Sequence, residues 1–243
     1  MARFQMKIAG AVAAVESLFD STPHYFRPYL TEEPAEFSVT VAPEDLRFEQ
    51  AELDREAVEE GFRFRVFTDP FLERAAIQRA FAEFLFERDV LLVHGSTVAV
   101  DGKAYLFAAR SGTGKSTHTR LWREVFGQRA VMINDDKPFL ALSRDGAVAH
   151  GSPWSGKHGL DANISAPLQA ICILERGTEN VITPMTPAEA LAMVEKQAYV
   201  PLDREKYPRF RALVERLVAT TPLWHMACNK DPQAARVAFD AMR

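Results

Sequence analysis

The stretch Ala109-Arg110-Ser111-Gly112-Thr113-Gly114-Lys115-Ser116 follows the apolar run Lys103-Ala-Tyr-Leu-Phe107 and precedes a helical pattern from Thr117 to about Val125. Small residues at 109, 112 and 114 let the main chain turn tightly, so that successive N–H groups converge on phosphate oxygens that a Cβ would hold away. Lys115 is placed to reach the β- and γ-phosphates and Ser116 to offer its hydroxyl to Mg²⁺. The helix opening at Thr117 adds the positive end of its dipole. Ser111, Gly112, Thr113, Gly114, Lys115, Ser116 and Thr117 are therefore the expected contacts of a nucleoside triphosphate, ATP first and GTP equally open. Ala109 stands where the usual pattern has Gly, and a plain glycine-rich turn is the competing reading.

The strand feeding this loop is expected to be antiparallel to its predecessor. Val90 to Val100, then Asp101-Gly102, then Lys103 to Phe107 has the form of a β-hairpin with a two-residue turn. Ordinary phosphate-loop folds enter the loop from a βαβ unit in a parallel sheet, so a hairpin here points to a different architecture. After the loop helix, Ala130-Val-Met-Ile133 reads as a short strand that ends in Asn134-Asp135-Asp136-Lys137. Adjacent carboxylates are unfavourable unless a cation or a proton is shared, so Asp135 and Asp136 are candidate metal or catalytic residues; a solvated turn is the alternative.

Outward from this centre the remaining signals are structural. Phe37 to Val41 and Gly61 to Phe67 alternate with period two and predict half-buried strands. Asp69-Pro70 predicts a helix start, with apolar spacing to Arg88. Leu140–Leu142, Asp145-Gly146 and Ala147–Ala149 predict a second hairpin. It leads into the glycine-punctuated loop Gly151 to Gly159, either a flap over the site or an ordinary loop, where Lys157 is available to phosphate. Ala170–Leu174 predicts a buried strand ending at Glu175-Arg176. Helices are expected near Pro187–Ala198 and Arg204–Ala219, a strand over Leu223–Cys228, and a helix from Asp231. The expected organisation is an α+β lead-in over 1–89, a phosphate-loop core over 90–185 and a C-terminal helical segment over 186–243 packed on the core.

Composition narrows the partners. With 243 residues, 47% of them hydrophobic, and a net charge of −4, the chain reads as a globular protein that bulk electrostatics would not draw to nucleic acid or to an anionic membrane. Met1 to Phe19 superficially resembles a signal peptide, but Ala and Gly dominate its apolar run and a cytoplasmic location is expected. Cys172 and Cys228 lie far apart in apolar runs and suggest neither a disulfide framework nor a metal site.

Between about 90 and 180 the chain resembles the C-terminal catalytic domain of HPr kinase/phosphorylase, within the wider group of phosphoenolpyruvate carboxykinase-like kinases. Val93-His94-Gly95, Ser111 to Ser116 and Asp135-Asp136 carry the resemblance, with His94 lying 21 residues before Lys115. It implies an α/β (α+β) fold whose mixed, largely antiparallel sheet carries the phosphate loop. It also implies a Mg²⁺- and ATP-dependent kinase acting on a hydroxyl of a protein, peptide or small molecule. On that resemblance Lys115 and Ser116 hold triphosphate and Mg²⁺, Asp135 receives the hydroxyl proton, and Asp136 binds metal or orients the nucleophile. The roles within the acidic pair are interchangeable at this stage. His94 sits near the transferred phosphate or holds Asp135, or is a core histidine. The family's Gly-Ile-Gly-Ile-Ile-type signature, its arginine-bearing loop and its metal-binding glutamate have no counterpart here; Lys157 or Arg176 is the candidate replacement charge. A nucleotide-binding regulatory switch and a nucleotide hydrolase are the alternative functions. Members of the resembled family oligomerise, which makes a homo-oligomer one expected assembly.

Overall fold

The computed structural model describes every residue except Lys157, together with every side chain except those of Lys157 and Glu60. The chain divides into two compact units, Met1–Phe84 and Leu85–Arg243.

The first unit opens with a hairpin of β1 (Ala2–Ile8) and β2 (Ala11–Ser17). Ala9 and Gly10 turn it, both with positive φ (48° and 84°), the conformation that a two-residue hairpin turn of this hand demands. The apolar run that superficially resembled a leader is therefore a strand pair, with Met6, Ile8, Ala13 and Val15 buried. A short helix α1 (Thr22–Tyr25) follows, then β3 (Phe37–Thr40), which adds parallel to β2. Two long helices complete the unit, α2 (Pro43–Glu60) and α3 (Asp69–Phe86), the latter running across the division between the units. Glu73 of α3 is fully buried. Its carboxylate accepts hydrogen bonds from the Thr22 hydroxyl and from the main-chain N–H groups of Leu18 and Phe19, which ties the helix to the end of β2.

The strand expected over Gly61–Phe67 is not one. Gly61 ends α2 in the left-handed region (φ 74°), and 62–68 runs exposed except for the half-buried Phe67, with no strand beside it among the described residues. Alternation signals readiness to pair; a strand also requires a neighbour.

The second unit is built on a nine-stranded, mostly antiparallel sheet. In chain order it comprises β4 (Val90–Leu92), β5 (Ser96–Val100), β6 (Lys103–Ala108), α4 (Lys115–Phe126), β7 (Ala130–Asn134), β8 (Phe139–Leu142), β9 (Ala147–His150) and β10 (Ser165–Arg176). Then come β11 (Val181–Pro184), α5 (Pro187–Glu195), α6 (Tyr207–Thr220), β12 (Leu223–Cys228) and α7 (Gln233–Met242). The main path is β4-β8-β9-β10-β6-β5-β7, with β12 parallel to β10 and β11 antiparallel to β12. The hairpin before the loop forms as expected: Asp101 and Gly102 take positive φ, and β5 pairs antiparallel with β6. On its other edge β6 is parallel to β10, so the strand that enters the 109–114 loop borders both kinds of ladder.

One expectation needs correcting. Val90 to Val100 is two strands, broken at His94-Gly95, and β4 pairs with β8 while β5 pairs with β6. At the break the main chain bonds elsewhere, His94 N–H to Gln197 O (2.7 Å) and Gly95 N–H to Asp136 O (2.9 Å). A Cβ at Gly95 would lie 2.6 Å from Leu106 Cδ1, so glycine lets this break lie directly against β6.

The sheet is buried on both faces. Leu106, Ile171 and Ile173 face a cluster with Phe210, Leu213 and Leu217 of α6. Tyr105, Phe107 and Cys172 face the opposite cluster with Trp122 of α4 and Ala235 of α7. A strand covered on both sides reads as a continuous apolar run, as β6 and the middle of β10 do. Among the described residues no helix is long and apolar enough to cross a membrane.

Candidate functional site

The loop from Ala109 to Gly114 joins β6 to α4, and Lys115 is already helical, two residues earlier than expected. Gly112 and Gly114 have φ of 76° and 127°. Nothing crowds either position, since a Cβ at Gly112 would meet no atom within 4 Å and one at Gly114 only Thr117 Cβ at 4.0 Å. Backbone conformation is therefore what calls for glycine here. Gly114 caps α4 with no side-chain hydrogen bond, which leaves the helix N-terminus without a competing side-chain acceptor in front of it. Lys115 is buried, and its Nζ donates to Ala109 O at 3.1 Å, closing the loop from one end to the other. Ser111 and Gly112 are exposed, while Thr113, Ser116 and Thr117 are half-buried.

Arg176, at the end of β10, reaches this loop. Its guanidinium donates to Gly112 O (2.5 Å) and Thr113 O (3.4 Å), which braces two carbonyls of the turn, while the Thr113 N–H donates to Arg110 O (3.1 Å). Lys157 lies outside the described residues.

The two aspartates occupy different surroundings. Asp135 is 4% exposed. Its Oδ1 accepts from Ser96 Oγ at 2.7 Å, and Ser96 Oγ lies 2.8 Å from Thr119 Oγ1. Because the single Ser96 proton goes to the carboxylate, Thr119 is the donor in the second bond. Thr119 lies one turn along α4 from Lys115, so Asp135 is hydrogen-bonded, through two hydroxyls, to the helix that the loop begins. Asp136 is half-buried, and its Oδ1 lies 3.2 Å from His94 Nε2. Burial pushes the Asp136 carboxyl up, but the hydrogen bond from His94 and the charges of Lys137, His94 and Lys115 outweigh it, and the group stays below the usual aspartate range. His94 is also held below its ordinary value, first by burial and then by Lys137 and Lys115, against the opposing pull of Asp136. The resulting pair is an Asp136 carboxylate that accepts a hydrogen bond from His94 Nε2. Lys115 acts on both members, so the loop lysine and the His94–Asp136 pair share one electrostatic neighbourhood.

Residues that the sequence did not single out hold this arrangement in place. Asn134 is fully buried. Its Oδ1 accepts from the N–H groups of Asp136 (2.7 Å) and Lys137 (2.6 Å), and its Nδ2 donates to Ser152 O (2.7 Å) and Ser152 Oγ (3.1 Å). The Asp-Asp turn is thus an Asx turn locked onto the start of the 151–159 loop. That loop is anchored in its first half: Gly151 to Ser155 are buried, and a Cβ at Gly156 would lie 3.5 Å from Asp136 Cβ. It borders Asp136 as a wall. Asn134 before two acids was the available sequence signal, since Asn commonly bonds main-chain N–H groups two residues on; Ser96, Thr119 and Ser152 offered none.

Residues 77–216 match the model of the family described as SynChlorMet cassette protein ScmC. The chain belongs to the ScmC family. The ScmC span contains His94, the 109–116 loop, Asp135, Asp136 and Arg176, and leaves out β1 to β3. No curated protein matches the chain. Among solved structures it is similar to the Hpr(Ser) kinase/phosphatase from Coxiella burnetii, at 7% identity and a TM-score of 0.36, over 62% of this chain and 95% of that one. The likeness is a weak one of overall fold.

Proposed function

We propose that this chain binds a nucleoside triphosphate with Mg²⁺ at the 109–116 loop and transfers its terminal phosphoryl group to a hydroxyl of a protein, peptide or small molecule. The observation that carries this reading is the convergence of Lys115 with the His94–Asp136 pair. A loop that only retained nucleotide has no use for a histidine-paired carboxylate at its end; a transferase needs a group to receive the acceptor's proton.

Within the acidic pair the geometry favours Asp136 over Asp135 as that group. Asp135 is buried and already bonded to Ser96, whereas Asp136 retains access to solvent and is oriented by His94. A carboxylate held below its usual range is a weak base, which suffices for phosphoryl transfer through a loose transition state in which little proton transfer has occurred. Ser116, Asp135 and Asp136 are hard oxygen donors that suit Mg²⁺. Among the described residues no group of three or more His, Cys, Asp or Glu could hold a metal ion, so in this proposal phosphate oxygens complete the Mg²⁺ shell. When bound, Mg²⁺ supplies neutralisation of phosphate charge. Lys115 adds a second positive charge from the helix N-terminus, and Arg176 keeps the loop carbonyls turned away from the anion.

Transfer of label from γ-labelled ATP with Mg²⁺ into a size-fractionated cell extract tests this reading, with Asp136→Asn as the comparison. The expected result is a labelled acceptor fraction, with Asp136→Asn retaining nucleotide affinity and losing about 10²-fold or more of the transfer rate. Tight nucleotide binding with no Asp136-dependent label in any fraction would replace the kinase with a nucleotide-operated switch. Phosphate released without any acceptor would replace it with a hydrolase.

A further inference from the structure

The first unit carries a segment that its own fold does not use. From Phe62 to Phe67 the sequence alternates aromatic or aliphatic residues with arginine, Phe-Arg-Phe-Arg-Val-Phe. Phe62, Phe64 and Val66 are 54%, 67% and 96% exposed, an amount of large apolar surface along one short run that calls for an explanation. Arg63 and Arg65 are exposed as well, and form no ion pair among the described residues, although the neighbouring end of α2 carries Glu56 and Glu59.

The main chain is held on one edge. Gln50 of α2 donates through Nε2 to Arg65 O (2.9 Å) and accepts through Oε1 from Phe67 N–H (3.0 Å). Contacting the carbonyl of one residue and the N–H of the residue two further on is how a neighbouring strand engages an extended chain, so the Gln50 amide stands in for a strand at this point. Phe67 stacks on Phe71 of α3 (4.8 Å between ring centres), fixing the far end. In an extended chain N–H and C=O groups alternate between edges. With Arg65 O and Phe67 N–H engaged by Gln50, an extended run here would present the Phe64 and Val66 groups on the opposite edge, and among the described residues those groups make no hydrogen bond.

We propose that Phe62–Phe67 is a docking strand that takes up an extended, acidic segment of a different polypeptide along its Phe64/Val66 edge. Strand addition would satisfy the open main-chain groups, bring apolar side chains of the partner against Phe62, Phe64 and Val66, and set carboxylates opposite Arg63 and Arg65. Charge selects the occupant. A second copy paired antiparallel about Phe64 would set Arg63 opposite Arg65 twice, and like charges directly opposite are destabilising. A bilayer surface would accept the aromatic and basic side chains but would leave the Phe64 and Val66 main-chain groups unpaired.

The test uses the full chain and a short fluorescein-labelled peptide alternating Val and Glu, with an alternating Val and Lys peptide as control. Saturable binding of the acidic peptide is expected, weakened about tenfold or more by the double change Arg63→Glu, Arg65→Glu. Val66→Pro, which removes an N–H on the open edge without touching charge, should weaken it comparably. Amide exchange should slow at Phe64 and Val66 on binding and stay unchanged at Arg63 and Arg65. The thermal midpoint of each variant serves as the folding control, and the exposed positions predict little change. Three results would overturn the proposal: equal binding of both peptides or of neither; self-association of the free chain abolished by Phe64→Asp; or arginine-dependent binding to phosphatidylserine vesicles without slowed exchange at Phe64 and Val66.

Discussion

The 109–116 loop and the Asp-Asp turn, linked through Ser96 and Thr119, are held by different means. The 109–116 loop owes its shape chiefly to its own residues: two glycines at positive φ, a lysine that bonds back to Ala109, and a helix that starts at once, with Arg176 of β10 bracing two of its carbonyls from outside. The 134–137 turn owes its shape to distant ones. Asn134 is locked to Ser152, Asp135 to Ser96, and Asp136 to His94, partners separated by 18, 39 and 42 residues. A locally built element should tolerate damage elsewhere and fail only through its own sequence, whereas a tertiary one should report on the packing of the whole second unit.

The sharpest way to separate the two is a pair of glycine substitutions. At Gly151 a Cβ would sit 1.9 Å from Ala162 O and 2.9 Å from Ile133 O, both main-chain atoms that no side-chain rotation can clear. Gly151→Ala should destabilise the chain by more than about 3 kcal/mol, because strands or loop must move apart to admit the methyl group. Gly114→Ala meets no such obstacle and carries only the strain of its φ, about 1–2 kcal/mol; its chief effect should be lost nucleotide affinity. Thermal unfolding alongside nucleotide titration distinguishes them, and equal destabilisation by both would dissolve the contrast.

Asn134→Ala probes the tertiary turn more gently. It removes the acceptor of two main-chain N–H groups and the donor to Ser152, and buried polar groups left without partners cost about 1–3 kcal/mol in all. Stability and proposed phosphoryl transfer should fall together, while nucleotide affinity, which depends on the loop, should change little. A fall in affinity as large as the fall in transfer would mean that loop and turn are one cooperative structure.

The same distinction explains what could be read in the chain beforehand. The loop at Gly112, Gly114 and Lys115 is legible because its turn and helix start are set within a few residues, and the Asp101-Gly102 turn marks its hairpin for the same reason. Asp135 and Asp136 stand out as an adjacent pair, but Ser96 and Thr119 are ordinary strand and helix residues until β5 and α4 are brought together. His94-Gly95 was visible as a motif, yet the break it makes in Val90–Val100 depends on the carbonyls of Asp136 and Gln197, which lie far along the chain. Gly61–Phe67 shows the converse failure: its alternation is a real strand preference, and no second strand of the first unit lies beside it. In β2 the alternation is masked by alanine, which suits strand and helix patterns alike.

Acid offers the gentlest probe, because it strikes the loop region at a place the loop's own sequence does not control. His118 of α4 is buried beneath the loop; its Nε2 accepts from Trp122 Nε1 at 3.1 Å, and Cys228 Sγ lies 3.9 Å from its Nδ1. Burial depresses its pKa from 6.5 to about 4, so between those values the unfolded chain binds a proton that the folded chain does not. Stability therefore declines as pH falls from 6.5 towards 4, by about 2 kcal/mol at pH 5, and above 6.5 this group contributes no pH dependence. Thermal midpoints measured from pH 7.5 to 4.5 should show the decline, and His118→Gln, which cannot be protonated, should make it shallower at some constant loss of stability, leaving the part due to His94 and His150, whose pKa values burial also lowers. Since protonation also severs the His118–Trp122 bond within α4, whose two rings pack against Phe107, nucleotide affinity should weaken over the same interval more in the wild-type chain than in His118→Gln. An affinity that fell equally in His118→Gln would place the acid-sensitive group in the loop or on the nucleotide, and would make the loop as local in its energetics as it is in its sequence.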